Sequence, residues 1–311
     1  MNPSPGLFAR IGFAALIVMA NSPLRAGPLP KSQISGDAKW VVHLDMEQFA
    51  PSQTCRFLMG GKSGSKSFQS ILNHYQTLLG VDPLKDISGL TLYGTEITGN
   101  RGTALISGAM NSRAITKQFS SYPQYATKTY GKLTLHSWLD KSTGRPLWAC
   151  FQTTRMLILA SDEGSVLNAV ATIEGSRTNL TNAKTVALPM QTLRQGAFFT
   201  ALSKGYAGSN TDPVKAMILK STEAAVMQLS ETKGIVDGTI LLRAVSPDAA
   251  TQIHQILNGL MVSASLTDSS SPVAKLAGMS DVSQDDRTVT LKLRGPASDV
   301  ADILATTLLT P

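Results

Sequence analysis

Histidine, cysteine and charge are all scarce in this sequence. Its 311 residues include 4 His and 2 Cys, with 16% charged and 6% aromatic side chains. Two cysteines without C-x-x-C spacing argue against thiol redox catalysis. No two histidines stand at H-x-H or H-x-x-x-H spacing, so the local sequence offers no zinc site. A G-x-S-x-G elbow is missing, and four histidines without a companion motif give a Ser/His/Asp triad no support. The lysines and arginines are scattered, without the one-sided clustering and interleaved aromatics of a nucleic-acid binder, so nucleic acid is not an expected partner.

What is present is apolar: 42% of residues, with Gly 25 and Pro 15 spread along the chain, which implies a packed core and no low-complexity segment. Residues 1–26 have the layout of a secretory signal peptide. Arg10 precedes the apolar run Ile11–Ala20, and Ala20 and Ala26 are the candidate exits. That run is shorter than the about 20 residues a membrane span requires. The expected location is therefore periplasmic or secreted, with no transmembrane segment after cleavage. Loss of Arg10 and Arg25 lowers the formal charge from +7 to +5, a mild balance for a chain of this length. An oxidising compartment permits one disulfide, Cys55 to Cys150, worth roughly 4–5 kcal/mol in chain-entropy terms. The alternative is two separate thiols, with Cys150 a small core residue in a strand.

Periodicity and turn chemistry then give an order of elements. Residues 27–37 read as a linker. Residues from about 39 to 45 are an interior strand, 51–66 a loop and 67–79 a helix. A hairpin spans 89–94 and 103–107, and a short helix follows Asn111 or Ser112. Four strands are expected near 126–130, 132–138, 146–152 and 156–160, then a helix from Ser161 or Asp162 to 173. Residues 175–195 form a polar connector. Beyond it come a strand at 197–202, a helix from Pro213 to Glu231, a strand at 235–245 and a helix to Leu266. A short helix at 272–278, an edge-like strand at Thr288–Leu293 and a final helix at 297–309 close the chain.

The two halves, 38–174 and 196–311, share this order. Ala38–Asp45 corresponds to Gly196–Ser203, Leu90–Phe119 to Thr239–Ile256, and Leu133–Ile173 to Val289–Leu304 once a hairpin is dropped. The expectation is an α+β fold of two pseudo-repeated halves, each a mainly antiparallel sheet with helices on one face.

The opening Asp37–Asp45, with Gly80–Ile87, Leu90–Gly94 and Leu135–Trp138, resembles secreted or periplasmic bacterial proteins of unknown function. The likeness spans most of the mature chain. It implies a compartment and a style of fold, and no activity.

Two motifs are weak. Gly60-Gly61-Lys62-Ser63 lacks the first glycine of a phosphate loop, since position 56 is Arg56. Ser63-Gly64-Ser65-Lys66 fits a serine/lysine nucleophile spacing but has no companion triplets; Ser161-Asp162-Glu163 and Thr232-Lys233-Gly234 are near misses. His43 and Asp45 share one strand face, where they either hold a metal, act as an acid–base pair, or close the strand while Asp45 caps the next helix. The favoured function is a non-catalytic protein that binds a protein partner or an envelope component and needs no cofactor. The alternative is a metal-dependent or acid/base hydrolase at His43/Asp45.

Overall fold

The central strand β1 (Trp40–Asp45) alternates the apolar set Trp40, Val42, Leu44 with Val41, His43 and Asp45, and all three of the second set are buried, so both of its faces are covered. In the computed structural model it lies in the middle of a single sheet. The structure describes residues 28–60, 70, 73, 76–77, 79–97, 101–141, 143–183, 190–205, 213–266 and 271–308. The leader 1–26, the glycine-rich run 61–66 and His74 lie outside those residues.

Among the described residues twelve antiparallel strands run in the order β11-β12-β10-β9-β8-β1-β2-β3-β7-β6-β5-β4. After β1 these are β2 (Ile87–Gly94), β3 (Thr103–Gly108), β4 (Ala126–Tyr130), β5 (Leu133–Leu139), β6 (Pro146–Thr153) and β7 (Met156–Ala160). The second half supplies β8 (Phe199–Lys204), β9 (Thr222–Thr232), β10 (Ile235–Ala244), β11 (Ser280–Asp285) and β12 (Thr288–Pro296). The halves join where β1 pairs β8, with Val42 opposite Ala201 and His43 opposite Thr200. The fold is thus α+β, with one large sheet shared by both halves.

Strand alternation divides the core. On one face Leu44, Met46, Phe198 and Leu229 pack with Leu84 of α3 (Pro83–Asp86) against α2 (Gln53–Gly60) and α9 (Ala297–Leu308). Farther along the same face Leu92, Leu157 and Trp138 pack against Ile115 and Phe119 of α4 (Ser112–Phe119). At its other end Ala244 and Val289 pack against Ile253 of α7 (Pro247–Ser265). On the opposite face Val41, Leu105, Cys150 and Ile158 pack against Val166, Ala169 and Val170 of α5 (Glu163–Ile173). The first half therefore carries helices on both faces, which corrects the one-face expectation. The reason is that β3, β6 and β7 are apolar at nearly every position, with burial unbroken through Leu157–Ala160.

The stretches read as linkers are packed as well. Ile34 is fully buried, Leu180 donates to its carbonyl at 3.0 Å, and Ser35 pairs Asn179.

Three element assignments change. Residues 53–60 are a helix, α2, and its first N–H groups are capped from far away in sequence. Glu231 accepts from Gln53 N at 2.7 Å and from Thr54 N at 2.9 Å. The stretch expected as a helix to Glu231 is split into α6 (Pro213–Ser221) and β9. Thr222-Glu-Ala-Ala-Val-Met-Gln-Leu has helix propensity, but pairing with β8 and β10 overrides it. Thr288–Leu293 is interior, because the polar Ser280–Asp285 pairs outside it as β11. The sheet edges are β11 and β4.

Two glycines are required by position. A Cβ at Gly108 would lie 2.0 Å from the Asp86 carbonyl oxygen. Gly234 has φ +78 in the β9–β10 turn and sits against the Gln53 side chain, so the hairpin tip is held beneath α2.

Candidate functional site

The sequence singles out His43 and Asp45, and β1 does place both side chains on the face that α5 covers. Their environments differ. His43 Nδ1 is 2.9 Å from Thr91 Oγ1, and the residue is buried. In the same register row Thr200 follows on β8 and Gln228 on β9. Gln228 accepts from Arg194 N at 2.9 Å, donates to Arg194 O at 3.1 Å and donates to Thr200 Oγ1 at 3.3 Å. This buried polar row ties the connector to the sheet where it crosses from one half to the other. Gln228 satisfies both backbone groups of Arg194 and Thr200 satisfies Gln228 in turn, a structural use of polar side chains.

Asp45 ends the strand and caps α1 (Met46–Phe49), accepting from Glu47 N at 3.1 Å and Gln48 N at 3.2 Å. Burial pushes its carboxyl up to about 6, against the lowering effect of those two backbone donors. The capping expectation for Asp45 is therefore met in geometry. Among the described residues no group of three or more His, Cys, Asp or Glu is placed to hold a metal.

Cys55 and Cys150 are both free and buried. Cys55 faces α9 on one side of the sheet and Cys150 faces α5 on the other, so the sheet itself stands between the two sulfurs. Burial pushes each thiol up to about 12, which leaves both protonated and unreactive near neutrality. His136 lies on β5 beside α4, its Nδ1 2.9 Å from the Tyr125 hydroxyl and its ring 5.9 Å from that of Phe119. His254 pairs Asn258 along α7 at 3.1 Å.

A feature that periodicity did not reveal is an apolar surface on three helices. α6 and α8 (Pro272–Gly278) both pack against α7. They expose Val214 and Met217 on α6, Leu260 and Val262 on α7, Leu266 just past it, and Val273 on α8. Leu266 is 82% exposed and Val262 62%. Residues 257–266 contain no charged side chain, and in the last two turns of α7 only Ala264 is buried. That charge-free run was the available signal. Its exposure depends on which helices lie beside it, which sequence spacing does not encode.

No family model matches the sequence, and no curated protein matches it. Two solved structures of TP0453 are similar in outline. Crystal form III aligns over 91% of this chain and 100% of its own, at 9% identity and a TM-score of 0.48. Crystal form I aligns over 93% of this chain and 100% of its own, at 9% identity and a TM-score of 0.45.

Proposed function

We propose that this is a non-catalytic periplasmic or secreted protein that binds a protein partner or a component of the cell envelope, and that the helical surface of α6, α7 and α8 is its contact face. One observation carries the reading: at least six large apolar side chains stand in water on three neighbouring helices, an arrangement monomeric surfaces avoid unless it is used. The leader-like residues 1–26 and the likeness to secreted bacterial proteins of unknown function supply the compartment.

The same reading includes two pseudo-equivalent halves, 38–174 and 196–311, joined by the connector 175–195. The strand order supports it. Outward from the β1–β8 junction the first half runs β1-β2-β3-β7-β6 and the second runs β8-β9-β10-β12-β11. In each, a helix follows the third strand (α4 after β3, α7 after β10) and another follows the fourth (α5 after β7, α9 after β12).

The test is co-sedimentation of the full mature chain with envelope fractions, comparing wild type with Leu260→Gln/Leu266→Gln. Binding is expected to fall by more than about tenfold, since each large side chain withdrawn from water contributes on the order of 1.5–3 kcal/mol. Equal sedimentation of both proteins overturns the contact face. Recovery of the unprocessed chain from cytosol overturns the compartment.

A further inference from the structure

We propose a second, independent binding site: an open cleft between α4 and β5 that takes a phosphate-bearing ligand of about sugar-phosphate size. The cleft encloses about 560 Å³, within the range of small-molecule sites. α4 contributes Arg113 and Lys117, one turn apart on its outward side, while its inward residues Ile115 and Phe119 are buried in the core. Lys132 enters from the β4–β5 turn, where Gly131 has φ +57. Three cations therefore converge from two elements.

No carboxylate lines the cleft, and none of the three cations forms an ion pair with a described residue. By contrast Lys128, on the neighbouring strand β4, is held by Glu163 at 2.6 Å. Unpaired cations around a concavity create a positive field that focuses on its interior. Thr116 and Thr134 add hydroxyls to the lining, and His136 is its buried polar wall. Because the Tyr125 hydroxyl engages His136 Nδ1, Nε2 is the ring nitrogen left to a ligand. Burial lowers the His136 pKa, which favours the neutral ring with one donor and one acceptor nitrogen. Convergent cations suit the several oxygens of a phosphate, and neutral hydroxyl and imidazole groups suit the hydroxyls of an attached polyol.

Titration of the full chain at low ionic strength with inorganic phosphate, with a hexose monophosphate and with the free hexose tests this, read by amide and His136 ring NMR shifts. Both phosphate-bearing probes are expected to saturate, with shifts centred on α4 and β5, and the free hexose to give none. Lys117→Gln and Lys132→Gln should each weaken binding by about tenfold, the scale of one charge-assisted hydrogen bond. Lys117→Arg should retain binding, and Lys292→Gln, on the far end of the sheet, should leave it unchanged. Phosphatidylcholine vesicles with and without phosphatidylglycerol separate two sources of the phosphate. Association with the anionic vesicles that is lost in Lys132→Gln assigns a lipid head group, and saturation by the soluble probes without vesicle association assigns a soluble ester. The proposal is overturned by failure of all phosphate-bearing probes to bind. Binding that both Gln variants leave intact, or a free hexose that binds as well as its phosphate, overturns it equally.

Discussion

The two ends of the sheet are built from similar strands but are clothed differently. Inside the exposed edge strand β4, from β3 to β5, the sheet is packed on both sides, by α4 with Trp138 and Phe119 on one face and by α5 on the other. Toward β11 only one face is covered, by α7 and α9. Among the described residues, the other face of β10–β12 shows Asp237, Thr239 and Arg243 beside Thr290, Lys292 and Arg294, and Asp281, Ser283 and Asp285 at the edge. Ile235 and Leu241 are the large apolar side chains on that face; both are half-buried, and Leu241 packs at the margin of the core beneath α5. A sheet that must be dry on both faces needs apolar residues at consecutive positions, whereas one that is wet on one face alternates. Burial along β7 is continuous through four residues, and along β11 it alternates strictly.

That contrast can be broken most directly at Trp138, which stacks on Phe119 at 4.3 Å between ring centroids. Trp138→Ala should cost about 3–5 kcal/mol in denaturant unfolding, by lost burial and the cavity left behind. A truncation where the core beneath α5 thins out, Leu241→Ala, should cost clearly less; equal costs would mean that β10 is covered on that face as fully as β5 is on its own.

Asp45, at the end of the central strand, provides the next effect, and its sign follows from its raised carboxyl pKa. Because the folded state holds the proton up to about pH 6 and the unfolded chain only to 3.8, folding is favoured by protonation between those values. The stability this group contributes is greatest at the acid end of that window and falls as pH rises through 6. A shift of that size is roughly 3 kcal/mol. Asp45→Asn keeps a cap acceptor and removes the charge, so its stability relative to wild type should rise between pH 4 and pH 7. A flat difference across that range would show that the carboxylate is solvated.

Smaller still is the bond between the halves. Glu231→Ala removes the acceptor for the first N–H groups of α2 and should destabilise by about 1–2 kcal/mol. Amide exchange should accelerate in residues 53–60 before it does in α5. Least of all, Lys292→Gln on the wet face should change stability by less than about 0.5 kcal/mol in the same unfolding assay.

How much of this was legible in the sequence follows the same division. Strands β2 to β7 and helices α4, α5 and α7 announce themselves through alternation, turns and caps; Asp162, for example, accepts from Ser165 N at 2.9 Å as a helix cap should. The misread elements depend on distant partners. The cap of α2 is a carboxylate 177 residues away. β9 is held as a strand by its two neighbours, against its own propensity, and β11 is too polar to register as a strand until β12 lies beside it. The candidate pair His43/Asp45 was located by its two-residue spacing, and the roles of its members came from Thr91 and from the α1 backbone. The exposed helices and the basic cleft were beyond reach of spacing, since each is defined by what lies next to it or fails to.

The pairing of β1 with β8 has a practical corollary for anyone who would dissect the molecule. Cutting in the connector would strip the partner from two central strands at once. Each fragment would then present a raw, greasy ribbon of unsatisfied amides, with Val41 and Leu44 on one and Leu202 on the other. Such pieces would find each other or clump, so the sheet should be studied whole.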